Sequence, residues 1–243
     1  MKQSGLVAII ATLVFSHNAF ADEHGHWGYE GKHAPAHWGE TFETCGTGLN
    51  QSPINIADSV EAELSPLAFT YQGEVINLTN NGHTLQAGLT GDNQVQIDGQ
   101  SFVLKQFHFH TPSENTVKGQ HYPLEAHFVN SDAKGNLAVV AVMFEEGKAN
   151  ADLAKLIATL PKTNQQTQLS QPFATKALLA NSDSYYRFNG SLTTPPCSEG
   201  VRWFVLEKPL TASKQQIAAM QAVMGNNNRP VQALNARLVL DSE

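Results

Sequence analysis

The chain has 243 residues, 41% of them hydrophobic and 15% charged, and a formal net charge of −7. That length allows one sizeable core, and the acidic balance excludes nucleic acid as a partner. With so few charges, 18 glycines and 11 prolines fit a loop-rich sheet protein better than a helical bundle. The chain contains no basic run, low-complexity tract or internal repeat.

In chain order, Met1-Lys-Gln is a short positive start, Leu6–Phe15 an apolar run too short to cross a bilayer, and Ala19-Phe-Ala21 a small-x-small cleavage site. Residues 1–21 therefore read as a secretory signal peptide. Residues 22–243 form the mature domain, with no membrane attachment after cleavage. His24, His26, His33 and His37 make a histidine-rich start, expected to be mobile and solvated. The only cysteines are Cys45 and Cys197. An even count in an exported chain points to a disulfide, the alternative being two separate buried thiols.

Gln51–Ile56 is extended. Leu67–Tyr71, Val75–Leu78, Leu85–Ala87 and Val95–Ile97 read as short strands punctuated by glycines. Phe102–His110 alternates and is the longest clear strand. Glu125–Asn130 and Leu137–Phe144 follow, joined by the turn Ser131-Asp-Ala-Lys-Gly135. Val139–Phe144 is almost wholly apolar, as a strand buried on both faces would be. Ala151–Leu160 has helical spacing, Arg202–Leu206 reads as a strand, and Lys214–Met224 as a helix between an N-capping Ser213 and a terminating Gly225. The expected fold is mainly β (α+β): one domain on a large, mostly antiparallel twisted sheet with a few short surface helices.

The chemistry concentrates in Gln106-Phe-His-Phe-His110 and Glu125-Ala-His-Phe-Val129. Residues two apart on a strand share a face, so His108 and His110 project together, and a neighbouring strand can bring His127 beside them. Three neutral imidazoles without a fourth protein ligand suit an open, catalytic Zn2+ site. Gln106 and Glu125 each precede a ligand by two residues, share its face and can accept an imidazole N–H. A lone histidine on a strand face is ordinarily a packed or solvated residue. Two in step with a third, with Gln106 and Glu125 in step as acceptors, are not.

These residues resemble the α-class carbonic anhydrases of the exported bacterial kind. The likeness runs through His26-Trp-Gly-Tyr29, Gln51-Ser-Pro53, Asn80-Asn-Gly-His83, Gln106–His110, Ser113-Glu114, Glu125–Val129, Ser191-Leu-Thr-Thr-Pro-Pro196, Val201-Arg-Trp203 and Asn228-Arg-Pro230. The resemblance implies that fold, a periplasmic location and reversible hydration of CO2 to bicarbonate and a proton, by attack of zinc-bound hydroxide on CO2. It implies His108, His110 and His127 as ligands of one Zn2+. Thr193 would accept a proton from the hydroxide and donate its own to Glu114, which aims the nucleophile. Val129, Val139, Leu192, Val201 and Trp203 would form the apolar wall for CO2, with Thr193 and Thr194 holding bicarbonate. His83 would carry the proton out along waters ordered by Tyr29 and Asn81. The carbonyl of Asn227 would support the second ligand histidine, although the Asn226-Asn-Asn228 run leaves that register open. Cis bonds at Ser52-Pro53 and Pro195-Pro196 and a possible homodimer also follow. Asn228 departs from the tryptophan of vertebrate relatives. Two other classes compete: a non-catalytic carrier on the same fold, which would need a broken triad or a lost Thr–Glu pair, and a metal-buffering protein using the N-terminal histidines.

Overall fold

Alternating burial along Phe102–His110 makes a strand, but the alternation changes phase once. Phe102 and Leu104 are buried on the same side as Phe107 and Phe109. The partner strand explains how: Val129 opposes Gln106 while Asn130 opposes Leu104, so Lys105 is an extra, unpaired residue. This β-bulge turns Gln106, His108 and His110 away from the core that Phe102 and Leu104 enter. The single unbroken alternation expected from the sequence is thus corrected.

The computed structural model describes residues 25–179 and 182–242. Residues 1–21, expected from the sequence to be a signal peptide, lie outside them. The strands are β1 (Asn55–Ile56), β2 (Val60–Ala62), β3 (Ala68–Tyr71), β4 (Glu74–Asn80), β5 (Leu85–Leu89), β6 (Asn93–Ile97), β7 (Gln100–His110) and β8 (Thr116–Val117). They continue as β9 (Gln120–His121), β10 (Leu124–Ser131), β11 (Leu137–Glu146), β12 (Gln165–Ala174), β13 (Tyr185–Ser191), β14 (Glu199–Leu206), β15 (Leu210–Ala212) and β16 (Leu240–Ser242). The large sheet runs β12-β4-β5-β7-β10-β11-β14-β13-β16-β2, with β3, β6 and β15 at its margins, while β1, β8 and β9 form a small one. Most neighbours are antiparallel, whereas β11–β14, β11–β15 and β16–β2 are parallel. The histidine-bearing strands β7 and β10 sit in the middle.

Two apolar layers clamp this centre. Phe107, Phe109 and Phe128 lie in the larger core, while Val139, Ala141, Met143, Val201 and Trp203 form a second one on the site's face. Strand β11 serves both, with Val140, Val142 and Phe144 in the first, which is why its sequence is continuously apolar. The sequence reading passed over β12 and β13. β12 is an edge strand whose side chains are mostly exposed, so it carries no periodic apolar signal.

The α-helices among the described residues are short: α1 (Trp38–Thr41), α2 (Glu43–Thr47), α3 (Ala151–Ile157) and α4 (Lys214–Met224). Ser213 and Gln216 form a capping box at α4. Gln216 also bonds both N–H and C=O of Asn150, the residue that caps α3. Gly225, with φ 68°, ends α4 and releases the chain toward β7. Cis peptide bonds occur at Ser52-Pro53, Pro195-Pro196 and Thr111-Pro112, the last not anticipated.

From residue 25 onward His26 and His37 are exposed, as a solvated start requires, while other residues of the segment pack on Trp38. The indole N–H of buried Trp38 donates to the carbonyls of Gly28 and His33. Its ring meets Trp27 and Tyr29 edge-on. His33 contacts His26, and His37 bonds Glu40. His24 lies outside the described residues.

Candidate metal centre and active site

The antiparallel register sets His127 directly opposite His108 and Glu125 opposite His110. After the bulge, all four project to one face with Gln106. The three imidazoles offer ligand atoms within 4.8 Å of one another, and among the described residues no other group of three such donors gathers. Each ring has one nitrogen engaged behind it. His108 Nδ1 is 2.8 Å from Gln106 Oε1 and His110 Nδ1 is 2.8 Å from the Asn227 carbonyl. His127 Nε2 is 2.9 Å from Glu125 Oε1, at ion-pair distance although outside ordinary hydrogen-bond geometry. By elimination, Nε2 of His108, Nε2 of His110 and Nδ1 of His127 face the centre. Burial lowers the pKa of all three, well below the usual imidazole range for His108 and His127, and the neighbouring rings lower both further. His110 Nε2 is buried without a hydrogen-bond partner. A neutral, converging, three-nitrogen set with an orphaned donor atom fits Zn2+ with an open position.

The supports are themselves held. Glu125 accepts from the backbone N–H groups of Glu114 and Asn115 and from the Asn115 side chain. Asn227 accepts at its side-chain oxygen from Thr111 N–H and donates from Nδ2 to the carbonyls of His83 and Phe109. Gly225 at the end of α4 delivers this residue, which places Asn227, of the three asparagines in its run, against His110.

Glu114 is fully buried beside the triad. Its Oε1 accepts the Arg229 N–H at 2.9 Å. Its Oε2 lies 3.5 Å from His110 Nε2 and 3.8 Å from His127 Nδ1, without a hydrogen-bond partner. Burial pushes its carboxyl well up, while the Arg229 N–H and the Thr193 hydroxyl pull it back toward the ionised form. Thr193 therefore lies close to Glu114, although their side chains do not meet ordinary hydrogen-bond geometry.

The loop bearing Thr193 is pinned from behind. Cys45 in α2 is disulfide-bonded to Cys197. Gln51 Nε2 donates to the Cys197 carbonyl. The buried Arg229 guanidinium donates to Gln51 Oε1 and to the carbonyls of Ser52 and Cys45. One arginine thus joins Glu114, through its N–H, to the disulfide helix, through its side chain. Sequence reasoning noted the Arg229-Pro230 pair but assigned it no role, because its partners lie up to 184 residues away.

Two small cavities meet at the triad. The first, about 150 Å³, is lined by Trp27, Tyr29, Asn81, His83, Thr84, Gln86, Gln106, His108, His110 and Thr194. The second, about 110 Å³, is lined by Gln106, His108, His127, Val129, Val139, Leu192, Thr193, Thr194 and Trp203. The register builds the apolar wall as one cross-strand row, Gln106–Val129–Val139–Trp203, over β7, β10, β11 and β14. The Trp203 indole N–H is satisfied by the Ser191 carbonyl. Val201 is not among the lining residues and packs in the second core. In the polar cavity the His83 ring stacks on Trp27, centroids 3.8 Å apart. Burial and then His26 lower its pKa. Asn81 Oδ1 accepts from the N–H groups of His83 and Thr84, which fixes the turn through Gly82, φ 87°.

A profile of eukaryotic-type carbonic anhydrases matches residues 33–243. A carbonic anhydrase of Pectobacterium carotovorum is 47% identical, over 99% of this chain and 100% of that one. One from Klebsiella pneumoniae is 50% identical over the same shares. Among solved structures, the Photobacterium profundum α-carbonic anhydrase superposes with a TM-score of 0.87 at 57% identity, covering 88% of this chain and 100% of that one.

Proposed function

The chain belongs to the eukaryotic-type carbonic anhydrase family, and from that premise we propose a periplasmic zinc enzyme that interconverts CO2 and bicarbonate, with separate routes for substrate and proton. The observation that carries the proposal is the triad itself, whose three free imidazole nitrogens open on one apolar and one polar cavity.

His108, His110 and His127 would hold the ion. When bound, it supplies the Lewis acidity that makes water nucleophilic at neutral pH. Gln106, Glu125 and the Asn227 carbonyl fix which nitrogen of each ring faces inward. Burial alone favours the protonated Glu114, and the cation's charge beside it would favour the ionised form. Ionised, it can only accept, so the Thr193 hydroxyl donates to it and offers its lone pair to the reacting water. That turns the water's own lone pair toward the wall of Val129, Val139, Leu192 and Trp203. CO2 has no charged group to grip, so an apolar wall suits it, while Thr193 and Thr194 can hold the bicarbonate product. The hydration proton leaves on the other side, to His83, over waters ordered by Tyr29 and Asn81. The disulfide and the apolar Leu6–Phe15 leader segment support export.

Stopped-flow CO2 hydration with zinc analysis tests this reading. Wild type should carry one zinc per chain and hydrate CO2, and His127→Ala should lose both. Zinc-loaded wild type without hydration activity would refute it.

A further inference from the structure

We infer that Thr84 is a positioning residue for proton release, a side-chain clip that holds the His83 turn at a fixed offset from the metal-binding strand. The inference rests on His83 acting as the relay.

Strands β5 and β7 pair at Ala87–Phe107 and Gln86–His108, and their ladder goes no further. Beyond that point β5 gives way to the turn Asn81-Gly82-His83-Thr84, which lies between Asn80 and Leu85 of the β4–β5 pair. Phe109, the next residue inward on β7, thus has no ladder partner on that side. The buried Thr84 hydroxyl takes over: it donates to the Phe109 carbonyl at 2.6 Å and accepts the Phe109 N–H at 3.2 Å. One side-chain oxygen replaces the donor and acceptor of a backbone pair. A second strap runs parallel to it, since Asn227 Nδ2 donates to both the His83 and Phe109 carbonyls.

The residues joined by these bonds are informative. Thr84 is next to His83, and Phe109 lies between His108 and His110. The clip therefore ties the backbone of the relay residue to that of two metal-binding residues. Its hydroxyl proton and one lone pair are spent on Phe109, so Thr84 has no proton to offer the polar cavity it lines. A relay across ordered waters depends on a constant span between its ends. Asn227 is the wrong handle for a test, because its carbonyl also holds His110.

Thr84→Val keeps the branched shape and removes both bonds, while Thr84→Ser keeps the hydroxyl. Each is compared with wild type and His83→Ala by stopped-flow CO2 hydration at matched zinc content, in weak buffer and with added imidazole. For Thr84→Val in weak buffer, kcat should fall on the order of tenfold, short of the ~100-fold that a full misplacement of ~1 Å can cost. Its kcat/KM should stay within about twofold, added imidazole should restore kcat, and Thr84→Ser should behave as wild type. If Thr84→Val does not accumulate as folded protein, Thr84→Ala carries the same expectations. A wild-type kcat for Thr84→Val beside a slow His83→Ala would overturn the inference and leave the relay standing. A parallel fall of kcat and kcat/KM would make Thr84 a support of the metal centre instead. A His83→Ala variant as fast as wild type would remove the relay and the Thr84 inference with it.

Discussion

The two cavities at the triad are built from the same strands but by different rules. The apolar one is a product of the sheet itself. Most of its apolar wall is one cross-strand row, Val129–Val139–Trp203, fixed by backbone register, with Leu192 added from the loop after β13. The polar one lies where the ladder stops. Turn chemistry and side-chain straps hold it: Asn81 on the His83 and Thr84 amides, Thr84 on Phe109, Asn227 on His83. A small inert substrate needs shape, which a sheet supplies without special bonds. A departing proton needs an exposed group at a set distance, which a loop supplies only when clamped.

Removing the Thr193 hydroxyl should break the apolar side most deeply. Thr193→Val is expected to lower kcat/KM about 100-fold, the scale of losing one oriented catalytic hydrogen bond, with no rescue by imidazole. Gln106 borders both cavities and holds His108. Gln106→Leu should weaken zinc binding about tenfold, measured by competition with a chelator, while the zinc-loaded variant keeps the balance between kcat and kcat/KM. The mildest effect is a pH midpoint. As the proposed relay, His83 can accept a proton only in its neutral form, and burial and then His26 lower its pKa. Its neutral form therefore persists to lower pH, and kcat in weak buffer should reach half its plateau below pH 6.5, the ordinary imidazole value. The step should vanish in His83→Ala.

Much of the site was legible because strands write their faces into sequence. The spacing of His108, His110 and His127, with Gln106 and Glu125 in step, needs only the two-residue repeat of a strand. The bulge at Lys105 was not legible, since an extra residue leaves no mark until the partner's register is known. Asn227 was narrowed only by geometry, because three successive asparagines are equivalent until α4 ends and one of them meets His110. Arg229 and Thr84 act through backbone atoms of distant residues, and backbone acceptors carry no residue-type signal. Val201, expected in the cavity wall from its motif, packs in the second core beside the wall residues Val139 and Trp203.

The division of labour between the two cavities is tested most directly by stopped-flow CO2 hydration of His83→Ala and Val139→Phe side by side, each with and without imidazole. Val139→Phe fills the 110 Å³ cavity and should lower kcat/KM with no response to imidazole. His83→Ala should lower kcat alone and recover when imidazole is added. Parallel losses of kcat and kcat/KM in both variants, or imidazole rescue of Val139→Phe, would contradict separate routes for substrate and proton.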